Sequence, residues 1–191
     1  MSDLKSKPGL DKNAPLFLRS ASKAIIDAPV DTIDIPEWLF TLTDKEYQQC
    51  SVAHIAGGAT WSPDGKRVSI NVEMIGPVLL VQHWTEDVAD KKHSRLVSWS
   101  DMFAQQQRAK LQLVWDMAVK PLSAISCEFT NSLSLFETDD LIAFVESSGG
   151  PAEQVRETLR STIDAHNAEE TPNFAKSVEK KALSSRLTRV S

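Results

Sequence analysis

Several things are scarce in this chain, and each scarcity removes a class of function. There are two cysteines, Cys50 and Cys127, far apart and in no C-x-x-C arrangement. They offer no disulfide framework, so free thiols in a reducing, cytoplasmic compartment are the expectation. The opening Met1-Ser2-Asp3-Leu4-Lys5 has no apolar core of the kind a secretory signal carries. No apolar run is long enough to span a bilayer. Positive charge is also short: 21 Lys and Arg against 26 Asp and Glu leave a net charge of -5. A nucleic-acid surface needs clustered Lys and Arg, so that partner is not expected. Phosphate-cradling G-x-G-x-x-G and Walker patterns are missing, and so is the G-x-S-x-G nucleophile elbow.

The composition that remains, 41% hydrophobic and 25% charged, is ordinary for a globular domain. Its most informative stretch is Ala152–Glu170. Val155, Leu159, Ile163, His166 and Glu170 recur at intervals of three and four, so they share one helical face. That face starts as a core stripe and ends in an imidazole and a carboxylate. Side chains at i and i+4 are close enough to hold one metal ion together. The competing reading is a frayed helix end with both groups half in water.

Residues 1–42 carry little pattern and read as an N-terminal arm, with Lys5-Ser6-Lys7-Pro8-Gly9 a mobile tail. Leu16-Phe17-Leu18 and Ala24-Ile25-Ile26 are available to dock on the domain or on a second copy in a homodimer. Thr43-Asp44-Lys45-Glu46 then opens a helix with a capping box, and Leu42 and Tyr47 hold the two positions of a hydrophobic staple. Gly57-Gly58 is the expected stop, which places Tyr47, Cys50 and His54 along one side of that helix.

Strands follow. Trp61 to Lys66 carries the Pro and Gly of a tight turn, and residues 68–74 alternate apolar with polar, as in a half-buried strand. Further strand patterns run over 78–86, 94–99, 111–119 and 125–135, with a charged turn at 87–92 and a Gln-rich link at 105–107. Short connections imply an antiparallel meander. Thr138-Asp139-Asp140-Leu141 caps a short helix, Pro151 suits the first turn of the long one, and Thr171-Pro172 is expected to break or kink it. Phe174, Val178 and Ala182 continue an amphipathic segment, before a basic tail at 186–191.

The order is α+β: arm, helix, about six antiparallel strands, and a long C-terminal helix to cover a curved sheet. Over residues 43–185 it resembles the helix-grip fold of the START/Bet v1-like (SRPBCC) superfamily, whose members bind lipophilic or aromatic molecules between sheet and helix. The residues His54, Glu86 and His166-x-x-x-Glu170 also resemble the metal ligands of the phloretin hydrolase and diacetylphloroglucinol hydrolase family. That resemblance implies a Zn²⁺ site of His54, Glu86, His166 and Glu170, with Glu73 competing with Glu86 for the strand position. It also implies hydrolysis of a bond between an acyl group and an aromatic ring carbon. A carboxylate beside the ion, Glu169 or Glu73, would move protons.

Other residues weigh less. His83 beside Trp84 reads as packing and His93 as a solvated turn residue, while Trp61, Trp84, Trp99 and Trp115 are core or cavity lining. Two functions stay open: a metal-dependent hydrolase or lyase for an aromatic or ketide-like molecule, and a non-catalytic carrier of a hydrophobic ligand. They differ in whether His54, a strand glutamate, His166 and Glu170 converge.

Overall fold

The computed structural model describes residues 10–187 except Lys12 and Gln105, with side chains through Ser184. The expected tail at 5–9 lies outside the described residues, and so does the basic tail, whose described backbone stops at Leu187. The architecture is one seven-stranded antiparallel sheet and a long C-terminal helix. The strands are β1 (Leu16–Ile26), β2 (His54–Trp61), β3 (Arg67–Ile75), β4 (Val78–Asp90), β5 (His93–Ala104), β6 (Gln107–Pro121) and β7 (Cys127–Phe136). The helices are α1 (Ile35–Thr41), α2 (Asp44–Gln48), α3 (Asp139–Ser147) and α4 (Ala152–Leu187). β2 to β7 run in sequence order as a meander, and β1 closes the far side against β7.

The seventh strand is a correction to the arm. Residues 16–26 pair with β7 along their length, for example Leu18 with Leu135 and Ile26 with Cys127. Phe17, Leu18 and Ile26 are buried in the core while Arg19, Ala21 and Ile25 are exposed. The pattern was hard to read because β1 alternates irregularly, with a register shift between Leu16 and Leu18. The hairpins came through better. Ser62, Asp64 and Gly65, which has φ 80°, build the β2–β3 turn, and Gln106 takes φ 65° where β5 turns into β6. β4 and β5 run four to six residues beyond the sequence pattern and absorb the charged stretch 87–90 as strand.

α2 has the expected capping box, with Thr43 and Glu46 bonded reciprocally, but it ends at Gln48. His54 is therefore not on a helix; it opens β2, directly opposite Glu73 on β3. Gly57 is a strand residue, not a helix stop. A Cβ there would sit 2.6 Å from the Tyr47 ring, so glycine is what lets that ring lie flat on the strand. α4 also departs from expectation, since it continues unbroken through Pro172. Pro172 lies on the exposed face, and Ala168, whose carbonyl loses its N–H partner there, is exposed too.

At 36 residues, α4 is about 54 Å long. It packs along β1 and reaches β7 and β3. Its N-terminal half contributes Val155, Leu159 and Ile163, only partly buried, whereas Phe174, Ala175, Val178 and Ala182 are fully buried. Phe174 meets Trp38 edge-on at 5.4 Å and tilts against Trp115 at 5.9 Å. Burying a side chain of that size contributes about 1.5–3 kcal/mol. The helix is thus anchored by its C-terminal half and spans a gap with its N-terminal half. Cys50 and Cys127 are buried free thiols. Among the described residues no helix is long and apolar enough to cross a membrane.

Candidate metal centre and cavity

Three elements bring four side chains together beneath α4. His54 starts β2, Glu73 faces it from β3, and His166 and Glu170 come from successive turns of α4. His54 Nε2 lies 3.2 Å from Glu170 Oε2, and His166 Nε2 lies 3.4 Å from the same oxygen. Glu73 stands slightly further off, 4.0 Å from His54 Nε2 and 3.8 Å from His166 Nε2. His54, Glu73 and Glu170 are buried, and the His166 side chain is 10% exposed.

The orientation of His54 is set from behind. Its Nδ1 lies 2.8 Å from the backbone carbonyl of Tyr47, which can only accept, so Nδ1 carries the proton. That bond fixes the ring and aims Nε2 at Glu170. An imidazole nitrogen and a carboxylate oxygen 3.2 Å apart are bridged either by a proton on the nitrogen or by a cation. Tyr47, the chain's single tyrosine, stacks flat on His54 with centroids 4.0 Å apart, and its hydroxyl donates to Glu73 Oε1. From the other side Asn131 of β7 donates to Glu170 Oε1 at 2.9 Å and itself accepts from the Trp115 indole at 2.6 Å. Asn131 also bonds Asn167, which donates to Ser20 on β1. One oxygen of Glu170 is thereby fixed and the other is aimed at the histidines.

The electrostatics are unbalanced. Neither carboxylate has a Lys or Arg partner among the described residues. Burial, and then the charge of Glu170, pushes Glu73 above the usual carboxylate range. Burial also works to raise Glu170, but its hydrogen bonds and charge interactions with His166 and His54 outweigh it and hold Glu170 low. Burial works to lower His166, yet Glu170 and Glu73 beside it raise it overall. Tyr47 is raised well above an ordinary phenol by burial and then by Glu73. Cys50 is pushed up to about 12, by burial first and then by Glu170 and Glu46, so it is an inert thiol.

This donor set fits a metal ion. Two imidazole nitrogens and carboxylate oxygens suit Zn²⁺. A tetrahedron with bonds of about 2.0–2.1 Å has edges of about 3.3–3.4 Å, close to the 3.2 and 3.4 Å separations at Glu170. The Nδ1–carbonyl bond behind His54 is the usual support for a metal-ligating histidine.

Glu73, His166 and Glu170 line one end of a cavity between the sheet and α4, and His54 is fully buried beside them. Ile75, Leu80, Trp84, Leu111, Leu113, Trp115, Leu133, Leu135 and Ile163 supply the apolar wall, and Asn71, Gln82, Asn131 and Asn167 join the cluster as polar lining. The room for water-sized molecules in it is about 60 Å³, within about 610 Å³ of empty space that includes open solvent.

The geometry brings together His54, His166 and Glu170, and it places Glu73, not Glu86, beside them. Glu86 is a correction: its carboxylate is forked onto Arg67, whose guanidinium lies 4.4 Å over the Phe40 ring. It sits at the far end of the β3–β4 hairpin, about six residues or roughly 20 Å along the strands from Glu73. Glu169 is a second correction, being exposed and accepting from the Val52 amide outside the cavity. His93 pairs with Asp116 at 3.0 Å in a half-exposed position. Trp84 and Trp115 line the cavity, whereas Trp61 is 69% exposed. Sequence reasoning gave Tyr47 only a packing role and missed Asn131. The signal for Asn131 was present, since it interrupts the otherwise apolar Cys127, Phe129, Leu133 and Leu135 side of β7.

No family model matches the chain, and no curated protein matches it. Solved structures do. A Thermus thermophilus protein, TTHA0849, superposes with a TM-score of 0.57 at 10% identity, over 88% of this chain and 99% of its own. The Zhui aromatase/cyclase from Streptomyces sp. R1128 gives 0.56 at 10% identity, over 87% and 93%. The di-domain ARO/CYC StfQ from the steffimycin biosynthetic pathway gives 0.54 at 9% identity, over 89% of this chain and 52% of that one. At such identities the likeness speaks for the fold. With its curved meander gripping one long C-terminal helix, the chain has the helix-grip fold of START/Bet v1-like proteins.

Proposed function

We propose that this protein is a metal-dependent hydrolase or lyase acting on a small aromatic or ketide-like molecule held between the sheet and α4. The observation that carries the reading is the convergence of His54, Glu73, His166 and Glu170 at one end of a largely apolar cavity, with His54 Nε2 aimed at Glu170. A Zn²⁺ ion held there would polarise a substrate carbonyl or lower the pKa of a bound water. The chain's own residues account for the rest. Asn131 and Trp115 hold Glu170 in place, and Tyr47 holds both His54 and Glu73. Glu73, raised by burial and by Glu170, is the carboxyl best suited to keep and return a proton at the cavity end. The apolar wall binds the substrate body and keeps bulk water from the reacting carbon.

The carrier reading keeps one specific support, which is that the apolar wall needs no metal to bind a lipophile. Elemental analysis beside native mass spectrometry of the purified protein separates the two. Near-stoichiometric zinc, with turnover of an acylated phenol that stops on chelation, is the expected outcome. A co-purified lipophile with no metal uptake would leave the carrier.

A further inference from the structure

On the wall beside the cluster, two buried amides are anchored by their oxygens and leave their NH2 groups without partners. Asn71 on β3 and Gln82 on β4 are directly paired across the strands, and each is 3% exposed. The indole N–H of Trp84 can only donate, so its 3.3 Å contact is with Gln82 Oε1. The Ser69 hydroxyl donates to Asn71 Oδ1 at 2.9 Å. Neither amide nitrogen has a hydrogen-bond partner among the described residues, yet neither is sealed inside the protein. Both residues line the cavity. Buried donors are rarely left unpaired, and two side by side on a cavity wall call for an acceptor.

We propose that Asn71 and Gln82 form an acceptor-oxygen subsite that selects ligands by a carbonyl, enolate or phenolic oxygen. The proposal rests on the cavity reading above and adds the ligand's second anchor. Asn71 and Glu73 are two residues apart on one strand face, a spacing of about 7 Å. A ligand that reaches both therefore carries oxygens separated along its length, one at the metal-binding cluster and one at the amides. A plain hydrocarbon or an alkyl-chain lipid leaves the amides unpaired and is disfavoured.

The test uses acetophenone and ethylbenzene, which differ by a carbonyl in place of a methylene. Binding to the full-length protein, stripped of metal by chelation, is followed by tryptophan fluorescence, since Trp84 and Trp115 line the cavity. Without metal, a carbonyl preference has to come from the protein's own donors. Wild type is expected to bind acetophenone better, relative to ethylbenzene, than octanol partition of the two probes predicts. Gln82→Met and Asn71→Leu should each lower that ratio about tenfold, one hydrogen bond's worth, while ethylbenzene still binds. Asn71→Leu keeps the acceptor of the Trp84 indole, so it gives the answer if Gln82→Met fails to fold. A wild-type ratio no higher than partition, or a ratio unchanged in the folded variants, overturns the subsite. Metal content is measured separately, so a protein that takes up no zinc yet keeps the carbonyl preference would fail the metal reading and leave this one standing.

Discussion

At one end of β3 Arg67 meets Glu86 in a forked ion pair, and at the other Glu73 meets His54, His166 and Glu170. The first grouping is self-neutralising. A guanidinium and a carboxylate match in charge and shape, partly exposed at 24% and 17%, and nothing further is required of them. The second places two carboxylates against two imidazoles with little access to water and no Lys or Arg partner among the described residues. Charges that balance locally point to structure. Carboxylates buried among titratable imidazoles, with no permanent cation beside them, point to a site.

The comparison breaks most visibly at Glu170. Glu170→Gln and His166→Ala should each take zinc from near-stoichiometric to undetectable by elemental analysis, with the circular dichroism spectrum retained. Retained stoichiometric metal in either variant would remove the site from this end of β3. A smaller effect is expected at Asn131, which orients Glu170 through a hydrogen bond. Asn131→Ala should weaken zinc binding about 10–100-fold, the usual cost of losing a group that orients a ligand. A chelator-competition titration measures it, and an unchanged affinity would make Asn131 purely structural.

The stripped protein sharpens the contrast through pH. Glu73 and His166 hold protons more tightly folded than unfolded, above their ordinary values of 4.5 and 6.5. From pH 4.5 upward at Glu73, and from 6.5 upward at His166, the folded state therefore binds the more protons. Stability falls as pH rises through both raised values. Glu170, held low, works in the opposite sense, its contribution being present above 4.5 and lost as pH falls through its lowered value. Thermal melts of chelated protein should decline as pH rises from 4.5 and on past 6.5, and added zinc should flatten that decline. A stripped protein equally stable across the range would contradict the imbalance. The smallest effect belongs to Glu86→Gln. Zinc content should not change, and a loss of about 1 kcal/mol or less would lower the melting temperature by about 2–4 °C. Loss of metal in that variant would reinstate Glu86 as a ligand.

Part of this site was legible in the sequence. His166 and Glu170 follow from helical spacing alone, because the period of an α-helix is local geometry. His54 was found for its residue type but placed on a helix, since the capping box at Thr43 marks where a helix starts and says little about where it ends. β3 was harder. Its alternation is real, but the face turned inward is the polar one. Ser69, Asn71 and Glu73 are buried, while Met74 is 43% exposed and Ile70 and Val72 only partly covered. A half-buried strand normally turns its apolar side to the core, and a polar cavity wall reverses that rule.

The sequence by itself determined the antiparallel meander of β3 to β7, the capped starts of α2 and α3, the long covering helix and the His166–Glu170 pair, all set by spacing along a few turns or one hairpin. Only the tertiary structure decided which glutamate of the β3–β4 hairpin joins that pair. Glu73 and Glu86 are alike in charge and in strand setting, and what separates them lies far off in the chain. Arg67 and Phe40 claim Glu86, while Tyr47, His54 of β2 and His166 of α4 stand over Glu73. The edge strand β1 was decided in the same way, by the open side of β7 more than 100 residues downstream, because a strand's partner is fixed by hydrogen bonds that its own residues do not encode.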